Sequence, residues 1–174
     1  MSKPKKEIQT KCSSSKDIDS FIHQARNFPV ETELNNMGRI LFALDATASR
    51  QRTWDHACQL QGNMFQETGK IGNLQLQLCY FRGYNEFQSS HWLSNSAQLT
   101  HIMSRVECAA GHTQISRVLQ HGIEETKYKK IQAVIFIGDS MEENLNELCS
   151  LAGTLGLLAT PVYLFQEGND LPTK

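Results

Sequence analysis

The sequence has 174 residues, of which 40% are hydrophobic and 20% charged, and its formal net charge is -1. This length corresponds to roughly one domain and is sufficient to bury a core. The balanced charge argues against nucleic acid or a membrane surface as a partner, and no apolar run approaches the ~18–20 residues of a membrane-spanning helix. The five cysteines, an odd number without close pairs, indicate a reducing compartment, so we expect a cytoplasmic protein.

The N-terminal region differs in composition from the rest of the chain. Residues 1–16 are rich in Lys, Ser and Thr and have few side chains to bury, which is typical of a disordered arm. Residues 17–27 show helical spacing of their apolar side chains and predict a short helix. We therefore divide the chain into an arm, residues 1–37, and a folded domain, residues 38–174.

Strand and helix patterns alternate from residue 38 onward. The predicted strands cover residues 40–44, 74–81, 133–137 and 161–165, with a shorter one near 91–93 in the irregular segment 82–112. The predicted helices cover residues 50–67, 97–105 and 113–127, and a fourth begins at Ser140 with Glu143 as its capping-box partner. This alternation predicts an α/β fold of Rossmann-like type: a mostly parallel central sheet in a three-layer sandwich with helices on both faces.

Polar side chains follow the predicted strands at the points where they end. Asp45, Thr47 and Ser49 alternate directly after the first strand, Thr113 lies at the start of a helix, and Asp139 follows the strand over residues 133–137. The carboxyl ends of parallel strands meet at one edge of a sheet, where ligands bind. All the candidate ligand atoms are oxygens, which favours Mg²⁺ or Mn²⁺. Two carboxylates balance the ion's charge, and neutral hydroxyls leave it free to take an anionic oxygen from outside.

This pattern resembles the metal-ion-dependent adhesion site (MIDAS) of von Willebrand factor type A (VWA) domains. That family carries Asp-x-Ser/Thr-x-Ser after its first strand, a threonine in a later loop and an aspartate after its central fourth strand. The matching residues here, in that order, are Asp45, Thr47, Ser49, Thr113 and Asp139. The resemblance covers roughly residues 38–170.

The resemblance implies a role for each matched residue. Thr47 and Ser49 would coordinate the metal through their hydroxyls, and Thr113 would do so directly or through water. Asp45 and Asp139 would act largely through water and hydrogen bonds. A further position on the metal is left for an Asp or Glu of an unidentified protein partner. The implied function is a metal-dependent protein-binding module that is not an enzyme and has no catalytic residues.

The resemblance also has a consequence for the end of the chain. The family has a sixth strand and a closing helix after the segment that ends here at Gly168, whereas this sequence ends at Lys174. We therefore expect a VWA-like domain that lacks its last strand and helix. An exposed sheet edge would then be covered by an oligomer or by a second chain.

Other interpretations of the same residues stay open. Asp, Ser and Thr after strands are also preferred helix caps. The chain is alternatively a structural subunit with a lapsed metal site, or a metal-dependent hydrolase of phosphoesters. Binding is favoured over hydrolysis because His112 has no clear acidic partner nearby in sequence. The sequence also lacks a Gly-x-Ser-x-Gly elbow and the glycine motifs of nucleotide-binding loops.

The cysteines and histidines do not form a zinc framework. Cys108 and His112 are one of the nearest Cys/His pairs, and their spacing matches no paired set of zinc ligands. Cys58, Cys79 and Cys149 fall on apolar stripes, which is typical of core thiols.

Two arginines and an aromatic segment are also predicted near the carboxyl edge of the sheet. Arg50 and Arg52 are expected in a solvated first helical turn, with attraction of a partner carboxylate as the alternative. Residues 81–92 are rich in aromatic side chains. This segment either lies near the predicted site and shapes the choice of partner, or it is a packed loop.

Overall fold

A computed structural model of the chain describes residues 37–70 and 72–167. The predicted arm and its short helix fall on residues 1–36, outside the described residues, so the division of the chain stays a prediction. The same holds for the predicted lack of a last strand and helix, because residues 168–174 are not described. None of the helices within the described ranges is long and apolar enough to cross a membrane.

Five strands form one sheet in the order β3-β2-β1-β4-β5. Their bounds are Gly38–Asp45 for β1, Leu74–Arg82 for β2, Glu86–Ser89 for β3, Ala133–Gly138 for β4 and Val162–Gln166 for β5. β1 pairs in parallel with β2 and β4, β4 pairs in parallel with β5, and β3 pairs antiparallel with β2. The predicted α/β fold with a mostly parallel sheet is confirmed.

Helices cover both faces of this sheet and complete the three layers. Their bounds are Trp54–Lys70 for α1, Ser96–Met103 for α2, Ile115–Tyr128 for α3 and Leu145–Leu157 for α4. A 3-10 helix, Ala48–Arg52, precedes α1. α1 and α2 pack on one face of the sheet, and α3 and α4 pack on the other.

The central strand β1 is buried on both faces, as its continuous apolar run predicts. Phe42 contacts Phe65 of α1 edge to face, with ring centroids 4.6 Å apart. Leu41 belongs to the opposite cluster, together with Val118 of α3. Burying a side chain of this size contributes roughly 1.5–3 kcal/mol. Packing from both sides therefore fixes the position of β1 and of Asp45 at its end.

The segment between β2 and α2 differs from the prediction. The strand expected near residues 91–93 is wrong, because only Leu93 pairs there, in an isolated bridge with Leu76. The strand lies earlier, at β3, and forms a hairpin with β2. β3 is short, polar and at the edge of the sheet, so it lacks the apolar alternation that marks a buried strand.

The start of α4 also differs from the prediction. Its cap is Asn144, whose side-chain oxygen accepts from the backbone N–H groups of Asn146 and Glu147. The predicted capping box of Ser140 and Glu143 is wrong. The Glu143 carboxylate instead accepts from the backbone amides at the start of α3. Glu143 thus connects the loop after β4 with the start of α3 at the carboxyl edge of the sheet.

The β2–β3 turn lies directly against the loop that precedes α3. Gly83 in this turn has a φ of 59°, which favours glycine. A Cβ added to Gly111 would lie 1.8 Å from the carbonyl oxygen of Gly83. That oxygen accepts from the backbone N–H of His112 at 3.3 Å and from Nε2 of Gln114 at 3.3 Å. The loop is therefore held against the hairpin.

We predict that Gly111→Ala lowers the free energy of unfolding by about 2 kcal/mol or more, because the added methyl displaces the hairpin from the loop. The matched control is Gly153→Ala in α4, where an added Cβ meets nothing within 4 Å. That change should raise the free energy of unfolding by roughly 0.5–1 kcal/mol through helix propensity. Urea unfolding of both variants measures the difference. Equal effects would contradict the close contact between loop and hairpin.

Candidate metal site

Asp45 ends the central strand and is completely buried. Its Oδ1 accepts a hydrogen bond from the backbone N–H of Thr47 at 2.8 Å. Its Oδ2 has no hydrogen-bond partner among the residues that the structure describes. Burial raises the pKa of the Asp45 carboxyl, with the bonds from Thr47 opposing the shift and the charge of Asp139 adding to it. A buried carboxylate oxygen without a donor is costly unless a cation neutralises it.

Asp139 directly follows β4, the strand beside β1. Its Oδ1 is buried and likewise has no hydrogen-bond partner within the described ranges. Gly138 allows this close approach, since a Cβ there would lie 3.2 Å from Cβ of Asp45 and 2.8 Å from the ring of Phe136. The ends of two neighbouring strands therefore present two carboxylates, each with one oxygen that is unpaired in the described part of the chain.

The hydroxyls of Thr47 and Ser49 lie next to each other after β1, with 3.0 Å between Oγ1 and Oγ. Thr47 is buried and forms an isolated bridge with Ala109, whose N–H donates to the carbonyl of Ala46 at 3.0 Å. Ser49 lies in the exposed part of the 3-10 helix. The loop is thus fixed by backbone bonds, and it presents two neutral oxygens beside Asp45.

Thr113 is buried in the loop before α3 and is bonded to the loop that follows β4. Its Oγ1 accepts from the backbone N–H of Glu142 at 3.1 Å, and its own N–H donates to Oε2 of Glu142 at 3.3 Å. The two loops are therefore joined by a reciprocal pair of hydrogen bonds. This places Thr113 at the same edge of the sheet as Asp139.

The five predicted residues lie at the end of β1 and in the segments that follow β1, precede α3 and follow β4, all at the carboxyl edge of the sheet. Within the described part of the chain, no group of three or more His, Cys, Asp or Glu could hold a metal ion. A metal at this edge would rely on hydroxyl oxygens together with the two carboxylates. Oxygen ligands of this kind suit Mg²⁺ or Mn²⁺ and do not suit softer metals.

The expectation that Arg50 lies in a solvated helical turn is wrong. Arg50 is 1% exposed instead of solvated, and it lies 5.3 Å from the ring centre of Trp54. Its guanidinium donates to the carbonyl of Asp45 at 2.5 Å and to that of Ile137 at 3.5 Å, and it pairs with Glu167 at 2.5 Å. For Arg50, the alternative role as an attractor of a partner carboxylate is therefore also wrong. Arg52 is exposed, as expected. No pattern in the sequence distinguishes Arg50 from the exposed Arg52.

His112 has an acidic partner that is distant in the sequence, Glu142. Its Nδ1 lies 3.3 Å from Oε2 of Glu142, and both side chains are at least half exposed. Its ring meets that of Tyr84 edge to face, with centroids 5.4 Å apart. The partner is 30 residues away in the chain, so no local motif indicates it.

The aromatic segment, residues 81–92, is partly a packed loop and partly exposed near the candidate site. Trp92 packs beneath the guanidinium of Arg39 and donates from Nε1 to Glu125 at 2.8 Å, so this residue belongs to a packed loop. Phe87 also packs against the core. Tyr84, in contrast, is 76% exposed and lies beside His112 at the candidate site.

The cysteine interpretation is confirmed only for Cys79, which is completely buried, and burial raises the pKa of its thiol. Cys58 is half-buried, and Cys149 is exposed on α4, so the prediction of a core thiol is wrong for Cys149. Burial also raises the pKa of the Cys108 thiol, to about 11. These four thiols are free.

Comparison with known proteins shows the fold. No family model matches the chain, and no match is found among curated proteins. The manganese-loaded TRAP protein of Plasmodium vivax is 13% identical, with 75% of this chain and 57% of that chain covered and a TM-score of 0.59. The PilB minor pilin of Streptococcus sanguinis is 14% identical, with 65% and 31% covered and a TM-score of 0.51.

The pilus adhesin SpaC of Lactobacillus rhamnosus GG, in an open conformation, is 14% identical, with 66% of this chain and 17% of that chain covered and a TM-score of 0.50. The chain thus spans between 17% and 57% of the length of these three proteins. At such identities the similarity shows the fold alone. The predicted VWA-like fold is confirmed.

We predict that Arg50→Met lowers the free energy of unfolding by about 2–4 kcal/mol, because it leaves strand-end carbonyls and Glu167 without their donor. The matched control, Arg52→Met, removes an exposed arginine from the same 3-10 helix and should change stability by less than about 0.5 kcal/mol. Denaturant unfolding measures both. A small effect at Arg50 would show that its buried contacts do not hold the strand ends.

Proposed function

We propose that this chain is a divalent-metal-dependent protein-binding module with a MIDAS-type site. The metal, Mg²⁺ or Mn²⁺, would be held by Asp45, Thr47, Ser49, Thr113 and Asp139. It would take a carboxylate from an Asp or Glu of a protein partner. The observation that carries the proposal is a pair of buried oxygens, Oδ2 of Asp45 and Oδ1 of Asp139, at the ends of adjacent strands. Neither oxygen has a donor among the described residues.

The residues at this edge fit such an ion chemically. Two carboxylates neutralise a divalent charge, and the hydroxyls of Thr47 and Ser49, 3.0 Å apart, add oxygen ligands without adding charge. When bound, the ion supplies a positive charge that attracts an anionic oxygen from solution. Its arrival would also relieve the cost of the buried carboxylate at Asp45. The TRAP protein, whose fold is similar, was solved loaded with manganese, which supports the proposal.

The surrounding contacts assign distinct tasks to the chain's own residues. Asp45 is oriented by the backbone N–H of Thr47, and Thr113 is oriented by the backbone N–H of Glu142. The carbonyls at the ends of β1 and β4 are held by Arg50. Preorganised ligands lose little conformational freedom when an ion binds. In the proposed function these residues bind and orient, and none of them moves a proton.

The partner and location in this proposal are argued from the sequence. The near-neutral net charge favours a protein over nucleic acid or a membrane surface. An oligomer or second chain covering the sheet edge at β5 stays part of the proposal. The cytoplasmic location is proposed on the odd number of cysteines.

We predict that the wild-type chain binds Mg²⁺ and Mn²⁺ in calorimetry and gains about 1.4 kcal/mol of stability when the ion is present at tenfold its Kd. Asp45→Asn should abolish this gain in stability. The side-chain amide oxygen of the variant can still accept the hydrogen bond from the backbone N–H of Thr47. With a chelator present, the variant should be as stable as the wild type or more so, because folding raises the pKa of Asp45 and thus disfavours its charged form.

The matched control is Asp55→Asn, an exposed aspartate in the first turn of α1, which should leave ion binding unchanged. If neither Mg²⁺ nor Mn²⁺ binds to the wild-type chain at millimolar concentration, the metal site is refuted. The chain would then be a structural subunit with a lapsed site.

A second candidate function, hydrolysis of phosphoesters, is favoured by one contact. The pairing of His112 with Glu142 is an arrangement that can support a general base. We nevertheless expect no release of p-nitrophenol from p-nitrophenyl phosphate in Mg²⁺ or Mn²⁺. Both side chains of the pair are exposed, so water screens the contact between them. Turnover that His112→Ala abolishes, but that the exposed-surface variant His56→Ala retains, would favour the hydrolase.

A further inference from the structure

The two helices on one face of the sheet, α1 and α2, lie over neighbouring strands. α2 contacts β2, and α1 packs on β1 through the rings of Phe65 and Phe42. Gly62 of α1 faces α2, since a Cβ there would lie 3.5 Å from Thr100. The strand order therefore places β4 and β5 beneath the other flank of α1, the one that faces away from α2. The described ranges contribute no third helix to this face.

The flank of α1 that faces away from α2 is buried. Ala57 and Thr68 lie on this flank at 100° per residue, and they are 1% and 8% exposed. Ala57 nevertheless belongs to neither of the two apolar clusters that the described residues form. On β5, Tyr163 and Phe165 point toward the same side and are only partly buried. We call this region the α1–β5 surface; its residues are Ala57, Met64, Thr68, Tyr163 and Phe165.

A buried amide lies beside the α1–β5 surface. Gln61 follows Ala57 by one turn of α1 and is 2% exposed. Neither its Nε2 nor its Oε1 has a hydrogen-bond partner among the described residues. A buried amide without a partner is costly, and folded proteins rarely retain one. We therefore expect a polar group from elsewhere in the chain beside Gln61.

The chain outside the described ranges contains one segment that matches this surface. Residues 168–174 carry a single large apolar side chain, Leu171, and are too short to cover a helix flank. Residues 17–28, in contrast, place several apolar side chains on one helical stripe with polar residues between them. The stripe consists of Ile18, Phe21, Ile22, Ala25 and Phe28. A helix this short is marginal in water and needs an apolar surface to become stable.

The attachment of this segment also fits. Phe28 precedes Gly38, the first residue of β1, by ten residues. β5 is two strands away from β1 in the sheet, which corresponds to about 10 Å. Ten extended residues span up to about 33 Å, so the segment reaches β5 without strain.

We infer that residues 17–28 form a helix that packs on the α1–β5 surface of the same chain. The apolar stripe covers the flank of α1 and the aromatic rings of β5, and a polar group of the segment pairs with Gln61. The helical layer on this face is thereby completed. The inference concerns the face of β5 and not its backbone edge. It goes beyond the proposed function and does not depend on the metal ion.

The test measures hydrogen–deuterium exchange of the full chain in EDTA. We expect the amides of residues 21–28 to exchange at least about tenfold more slowly than those of residues 2–16, because docking protects the helix. Phe21→Ser should accelerate exchange in residues 21–28 to the rate of residues 2–16. Its matched control, Ile8→Ser, also replaces an apolar side chain before β1 and should leave this rate unchanged.

The reciprocal variant changes the surface instead of the segment. Tyr163→Ser should accelerate exchange in residues 21–28 while β1 and α1 stay protected. The matched control is Leu164→Ser, since Leu164 is the next residue of β5, lies on the opposite face and is 67% exposed. It should leave the exchange of residues 21–28 as in the wild type.

Exchange in residues 21–28 of the wild type that is as fast as in residues 2–16 would overturn the inference. So would unchanged exchange in Phe21→Ser, or equal acceleration by Tyr163→Ser and Leu164→Ser. Phe21→Ser leaves every described residue intact, so its result decides even if Tyr163→Ser fails to fold. Protection that is lost on tenfold dilution would assign the surface to a second copy of the chain and would equally overturn the inference.

Discussion

The buried guanidinium of Arg50 joins the two strand ends from which the candidate site is built. It donates to carbonyls at the ends of β1 and β4 and pairs with Glu167, which follows β5. A single cation thus contacts the ends of three neighbouring strands. The carboxylates of Asp45 and Asp139 extend from two of these ends. Their close placement is tolerable because the backbone carrying them is fixed and partly compensated by positive charge.

The candidate site combines a rigid framework with unpaired charge. Oδ1 of Asp45 accepts a hydrogen bond from the backbone N–H of Thr47. Oδ2 of Asp45 and Oδ1 of Asp139 have no hydrogen-bond partner within the described residues. Folds retain such costly groups where function requires them. The VWA-like architecture places them at the carboxyl edge of a parallel sheet, the position where α/β folds commonly bind ligands. Fold and local chemistry therefore point to the same edge.

The sequence predicts the parts of this structure that depend on local pattern. The apolar runs of β1 and β4 end at Asp45 and before Asp139, so strand periodicity alone brings these residues to one edge. The role of Arg50 was not predictable, because its partners become neighbours only when the strands align. The same reason applies to the cap that Glu143 supplies to α3, from 28 residues away. β3 was missed because a short polar edge strand has no apolar signal.

The reciprocal bonds between Glu142 and Thr113 link two surfaces that would otherwise be independent. Thr113 belongs to the proposed metal site, and Glu142 is exposed in the loop after β4. A partner that immobilises this loop would thereby also immobilise a residue of the proposed metal site. Thermodynamic linkage requires the effect to be mutual: an ion that tightens partner binding must itself be bound more tightly in the complex, by the same factor. At a given ion concentration, a larger fraction of the chain would then carry its ion when the partner is present.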